Sequence, residues 1–403
     1  MTLHPSVSQP VLDEFFLLLG RLLGRKERRA SFAIYALGLL SDLERKSAEP
    51  IAALVCKGKP RECAKTHDHL LHFLGSSPWD DGQVRLVATD FALDEVTKTE
   101  PLESYILDDT GFLKQGTESV GVQRQYTGSA GKIANCQIAV SLTVATASTH
   151  VPLDLGLYLP QSWTQDDERC QKAGVPEHIR FRTKHDIALD LLAASLVHGR
   201  PSLPVLADAA YGNNSQFRGE VTRLGLPYAM GINATTTVRV VDKKGRLGPV
   251  ESVKQAAERQ HKSIWEEVTW LEGTKAALSS RFALLEVEVA DPNPREPVRQ
   301  RLLIEWPEGQ KEPEHYTLVT VATVTTLKQA VRLVKSRWRT ERVYEDMKGE
   351  LGLDHFEGRS WLGWNHHVSV ALACYAVVVA CQRRAFPPSG RGSSEGSAHS
   401  DAA

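Results

Sequence analysis

Residues 336–359 read SRWRTERVYEDMKGELGLDHFEGR, from Ser336 to Arg359, and the reading of this stretch decides the rest. Trp338, Val343, Tyr344 and Met347 supply apolar contacts, and neither Gly nor Pro intervenes before Gly349, so the pattern predicts a helix. At ~100° per residue, with Arg337 at zero, Glu341 falls at about 40°, Glu345 at about 80° and Lys348 at about 20°. One narrow face then carries a guanidinium, two carboxylates and an ammonium. A solvated helix laced by i,i+4 ion pairs, each worth ~0.3–0.5 kcal/mol, accounts for that face. So does a carboxylate that holds a metal, flanked by cations that hold phosphates.

Two stretches upstream bear on the choice. Ile106 to Phe112 (ILDDTGF) is an apolar strand ending in two aspartates and a Gly turn. Leu203 to Gly212 (LPVLADAAYG) is an apolar strand ending in Asp208 and a small-residue turn. Acids just past the carboxyl ends of buried strands are a usual place for a site in an α/β sheet. Three carboxylates from two strand ends and one helix can hold two divalent metals about 4 Å apart. The plain alternative for either aspartate is a turn cap.

With these residues in view, the chain resembles the insertion-sequence transposases of the DDE superfamily, in the branch with a Tyr-x2-Arg-x3-Glu-x6-Lys signature. Arg337, Glu341 and Lys348 match it in type and spacing; Val334 stands where it has Tyr. LDDTGFLKQG, SAGKIANCQIAVSL, LYLPQSWTQD followed by AGVP, ADAAYG, and GELGLDHFEGRSW followed by His366-His367 extend the resemblance over roughly residues 30–385. It implies an α/β fold: a ribonuclease-H-like catalytic core with an N-terminal helical domain and a β-rich insertion. It implies metal-dependent cleavage and strand transfer of DNA at the ends of a mobile element, with Asp109, Asp208 and Glu341 as catalytic metal ligands. Asp109 is preferred to Asp108 because the family pattern puts the ligand directly before Thr, and strand alternation turns Asp108 to the other face. Two Mg²⁺ are implied, with Mn²⁺ as a substitute. Arg337, Lys348 and Arg359 are the candidate phosphate contacts. Asp108 and Glu345 are secondary site candidates; Asp354 and Glu357 are weaker rivals beyond the helix. The His366-His367 pair reads as a capping or packing feature, with a phosphate contact as the alternative. The implied partners are double-stranded DNA, as terminal inverted repeats and target, and a second copy of the chain when DNA is bound. A catalytically silent DNA-binding regulator derived from a transposase is the alternative.

The 403 residues suffice for a large core and two or three domains. A net charge of −1 gives no overall basic signal for nucleic acid, so local patches must carry such contacts. One lies between Lys328 and Lys348, another at Arg21, Arg25, Lys26, Arg28 and Arg29. The six cysteines form no CxxC or zinc pattern and read as reduced thiols. Without a signal-like start, and with an apolar run (Val368 to Cys381) of about 14 residues, a cytoplasmic, nucleoid-associated protein with no membrane partner is expected.

Periodicity divides the chain at 1–100 (helical, a candidate DNA-binding domain), 101–232 (first part of the core), 233–322 (β-rich insertion), 323–385 (second part of the core) and 386–403 (a Pro/Ser/Gly-rich tail expected to be disordered). Within the core, strands are expected at Tyr105–Asp109, Cys136–Thr146 and Val151–Leu159, a polar loop over 160–180, and a helix over Lys184–His198. In the insertion, Trp265, Trp270 and Trp306 are core residues or platforms for an unpaired base.

Overall fold

Apolar residues recurring at helical spacing between Pro, Gly and Ser breaks make the first hundred residues helical. A computed structural model describes residues 6–57, 59–272, 277–290 and 293–385. It shows α1 (Gln9–Leu23), α2 (Lys26–Leu39), α3 (Ala48–Cys56), α4 (Pro60–Gly75) and α5 (Asp81–Thr97). Proline opens α1 and α4, where its missing amide would have had no helical partner. Asp80 caps α5, accepting from the Gln83 amide at 2.9 Å. The tail expected over 386–403 lies outside the described residues.

Strands follow: β1 (Ser104–Leu113), β2 (Gln123–Thr127), β3 (Lys132–Ala145) and β4 (His150–Tyr158). The expected polar loop holds two short helices, α6 (Gln161–Thr164) and α7 (Asp167–Lys172). Next come α8 (Lys184–Val197), β5 (Val205–Ala207), α9 (Ala209–Gly212), α10 (Ser215–Arg223) and β6 (Tyr228–Ile232). β3 pairs antiparallel with β1, β2 and β4, whereas β1, β5 and β6 run parallel. β1 is therefore central, with an antiparallel neighbour on one side and a parallel one on the other.

The β-rich stretch contains β7 (Thr237–Val241), β8 (Leu247–Ser252), α11 (Val253–Glu258), β9 (Glu266–Glu272), β10 (Ala277–Val289), β11 (Arg299–Pro307) and β12 (His315–Val319). It is continuous with the core sheet: β12 pairs antiparallel with β6, Tyr316 opposite Ile232, and twelve strands form one sheet.

The helix expected from Ser336 is broken. α12 (Leu327–Lys335) gives way to a 3-10 turn at Ser336–Trp338 before α13 (Arg339–Gly349). Ser336 Oγ donates to the Leu333 carbonyl at 2.7 Å, a local bond that competes with regular helix geometry. A 3-10 turn advances about 120° per residue against about 100°, which turns Arg337 by about 40° relative to α13; Arg337 and Lys348 both still reach β1, at Asp108 and at the Gly111 carbonyl.

α14 (Trp361–Ala385) is buried on nearly every side. It passes the length and apolarity test for a membrane span, yet 72% of the qualifying window is buried inside the fold. Its packing partners are α5, α4, α2 and α1 as well as β4. One hydrophobic core runs from Val11 through Leu107 and Ala207 to Cys381, so residue 100 marks a change of element type with no break in packing. A second, smaller core lies on the opposite side of the sheet: Ile106, Leu206 and Ala229 meet Phe282 of β10 and Ala330 and Val331 of α12. Cys56, Cys136, Cys170, Cys374 and Cys381 are free thiols.

Candidate active site

Strand parity assigns the two aspartates of β1 to different sides. Ile106 of β1 is in register with Leu206 of β5, and both face the smaller core. Leu107 and Ala207 face the main one. Continuing the register two residues brings Asp108 level with Asp208, on the side toward α12 and β10. Asp109 turns toward α8.

Asp108 accepts from the Asp109 amide at 2.8 Å, and a guanidinium nitrogen of Arg337 stands 3.6 Å from its other oxygen. Burial pushes the Asp108 carboxyl up to about 6; the Asp208 and Asp109 carboxylates add to this and Arg337 opposes it. Beside it, the hydroxyls of Ser141 and Tyr344 are hydrogen-bonded. Burial, then the charge of Asp108, raises the Tyr344 phenol well above its ordinary range.

Asp109 has both carboxylate oxygens engaged. Lys184 Nζ lies 2.5 Å from Oδ2, and the Tyr211 hydroxyl donates to Oδ1. Lys184 opens α8 behind a Thr183–Asp186 capping box, and Tyr211 comes from α9, the helix that Asp208 starts. Asp208 accepts from the Ala210 amide at 2.9 Å, so it also caps its own turn. That turn is pressed onto β6: a Cβ at Gly212 would collide with the Gly231 carbonyl, and one at Gly231 would meet the Ala209 amide at 3.0 Å.

A cleft of about 510 Å³ opens at this edge, walled by Asp208, Asn233, Glu305, Lys335, Arg337 and Trp338. A second, of about 490 Å³, shares Lys335 and Trp338 and adds Lys328, Arg332 and Arg339. The basic run of the sequence thus lines two adjoining hollows. Trp338 is 43% exposed where they meet.

The remaining candidates fall in several places. Glu341 and Glu345 are exposed on α13. Lys348 donates to the Gly111 carbonyl at 2.8 Å and to Ser129 Oγ at 3.1 Å, which fastens α13 to β1. Arg359 is exposed on the loop before α14, where its carbonyl accepts from the Val120 amide. Asp354 is exposed and Glu357 pairs with Arg45. Among the described residues, no three His, Cys, Asp or Glu side chains gather closely enough to hold a metal ion. The structure thus brings Asp108 within electrostatic reach of both Asp109 and Asp208, while Glu341 stands exposed on α13.

The histidine pair resolves as packing, and the three tryptophans of the insertion are half-buried, with Trp270 lining the second cleft. His366 and His367 are fully buried; the first stacks on Trp79, centroids 3.8 Å apart, and the second joins Tyr35 to the Leu353 carbonyl. Burial holds His367 down to about 4, so it is neutral and out of reach of a phosphate. Trp265 packs edge-on against Trp306, and Trp270 lies against Phe282 with Lys335 Nζ 4.1 Å from its centroid.

Sequence reasoning missed Lys184, Tyr211, Tyr344 and Ser141. One of them left a signal. A lysine at the first position of a helix opposes the helix dipole, so Lys184 called for a carboxylate partner from elsewhere.

Residues 18–277 match the family model described as DDE superfamily endonuclease, and residues 180–377 match one described as transposase DDE domain. A curated protein of Microchaete diplosiphon, described as "Probable transposase for insertion sequence element IS701", is 30% identical over 215 residues. The match covers 53% of this chain and 51% of that protein, so the chain spans about half the length of the curated relative it matches.

Proposed function

The chain belongs to the DDE superfamily endonucleases, and on that premise we propose that it is a transposase that cuts DNA at the ends of a mobile element and joins those ends to a target. The observation that carries this reading is the levelling of Asp108, in β1, with Asp208, just past the end of the neighbouring parallel β5, beside a cleft lined by Asp208, Lys335 and Arg337. The half-sheet of β4, β3, β1, β5 and β6 fits a ribonuclease-H-like core.

The donor set suits Mg²⁺ or Mn²⁺, since hard carboxylate oxygens are what these ions take up. Asp109 and Asp208 would hold the ions, with Glu341 carried in on α13 and Asp108 beside them. When bound, a pair of such ions stabilises the attacking and leaving oxygens of a phosphodiester displacement. The chain's own cations do the rest. Arg337 offers a planar fork to phosphate oxygens, and Lys335, Arg332 and Arg339 extend the positive wall along which a strand can lie. Lys348 anchors α13 to β1 and so sets the height of Glu341 above the site. Two DNA ends must be cut and joined together, which calls for two copies of the chain on DNA.

The silent-regulator reading draws on one feature, the Val334 that stands where the signature has Tyr. Nicking of a plasmid carrying the element's terminal repeats separates the two. Wild type is expected to nick with Mg²⁺ or Mn²⁺ and Asp208→Asn to bind the same DNA without nicking. Binding without nicking by wild type establishes the regulator.

A further inference from the structure

Lys184 is 75 residues from Asp109 along the chain, yet its ammonium lies 2.5 Å from the carboxylate. It does no local work for α8, whose amino end is already satisfied by the reciprocal Thr183–Asp186 bonds. Its nearest aromatic neighbour, the Tyr158 ring, is 5.9 Å away at the centroid. The pair is accessible to solvent, with the Lys184 and Asp109 side chains 31% and 26% exposed. Asp108, the next residue in β1, feels the charges of both Asp109 and Asp208, and each of the two β1 carboxylates has its own cation. Arg337 serves Asp108 from the α12 side. Lys184 serves Asp109 from the α8 side.

We propose that Lys184 is an internal counter-ion of this site, and that its ammonium and a divalent cation compete for the Asp109 carboxylate. This rests on the reading of the site given above. A monovalent cation on a flexible four-carbon stem neutralises Asp109 before an ion arrives and swings clear when one does. A rigid guanidinium would hold the carboxylate in a fixed fork and yield less readily. Tyr211 keeps the other Asp109 oxygen fixed throughout, so the carboxylate stays aimed while its cationic partner changes.

The test is Mn²⁺ binding to the full chain without DNA, followed by electron paramagnetic resonance of the free ion. Lys184→Met keeps the length of the stem and removes the charge. It is expected to bind Mn²⁺ roughly tenfold more tightly than wild type, because one adjacent charge commonly changes the cation affinity of a carboxylate by at least that factor. Lys184→Arg is expected to bind no more tightly than wild type. Wild type carries an independent readout that needs no variant: acylation of Lys184 by an amine-reactive reagent, located by mass spectrometry, should speed up when Mn²⁺ is added. Lys184→Met binding Mn²⁺ with wild-type affinity overturns the proposal, as does acylation indifferent to Mn²⁺. Asp208→Asn separates the failures. If it abolishes Mn²⁺ binding while Lys184→Met matches wild type, the site stands and the competition falls. If no variant shows binding that depends on Asp208, the site reading falls and the competition with it.

Discussion

Asp108 and Asp109 are neighbours in sequence and belong to different regions of the molecule. The Asp108 side is a mixed wall in which α12, β10 and the 3-10 turn bring Arg337, Lys335 and Trp338 to an open cleft. The Asp109 side is a scaffold of α8, α9 and α10, where Lys184 and Tyr211 fix the carboxylate against the main core. One residue of strand parity separates a surface built to receive something from one built to hold something still. A pattern such as Asp-Asp-Thr names two acids, and the register of β1 on β5 gives each of them its company.

The most severe way to break this contrast is to neutralise the acids one at a time. Asp208→Asn and Asp109→Asn should each lower DNA nicking by roughly 10²–10³-fold with folding intact, and Asp108→Asn by about tenfold, measured as single-turnover rates. If Asp108→Asn is as damaging as Asp208→Asn while Asp109→Asn is mild, the two neighbours exchange roles.

The scaffold side can be loosened from behind. Arg218 and Glu296 form an ion pair at 2.5 Å with side chains 3% and 0% exposed, and Arg218 also holds the Gly212 carbonyl at the end of α9. Glu296→Gln leaves a buried guanidinium without its counter-charge. It should cost about 3–5 kcal/mol in urea unfolding and reduce nicking through Tyr211 and Asp109. A variant as stable as wild type shows that α9 is held by other contacts.

Acidity sharpens the cleft side. The Asp108 carboxyl titrates near 6 in the folded chain against a reference of 3.8. Between those values the folded chain keeps a proton that the unfolded chain has released. Stability is therefore lost as pH rises through this window, and it stays lost above it. Asp108→Asn should gain about 2–3 kcal/mol at pH 8 relative to its effect at pH 3, read from urea unfolding at both. Equal effects at both pH values would show that the folded carboxyl is not disfavoured.

The smallest effect belongs to the open wall. Arg337→Ala should weaken binding of terminal-repeat DNA several-fold, with little dependence on sequence, and reduce the slope of log affinity against log salt by about 1. An unchanged slope places Arg337 off the DNA path.

What the sequence determined by itself is local and periodic. Helical spacing placed α8 within a residue of where it stands, since it has a capping box at its start and an apolar face behind it. Apolar runs marked β1 and β5, since a buried strand must be apolar, and β5 does stop before its acid; β1 does not end in a Gly turn as expected but runs on through Asp108 and Asp109 to Leu113, paired with β3 throughout. The Arg, Glu and Lys of the α13 region were legible as a set. Their shared face survived in part: Arg337 and Lys348 both reach β1, while Glu341 and Glu345 are exposed. Tertiary structure alone decided the partners. The pairing of Asp109 with Lys184 spans 75 residues, the levelling of Asp108 with Asp208 depends on a register between strands 100 residues apart, and the burial of His366 and His367 requires helices from both ends of the chain. Electrostatic and packing energies fall off with distance in space, and a linear sequence specifies that distance only across a few residues at a time.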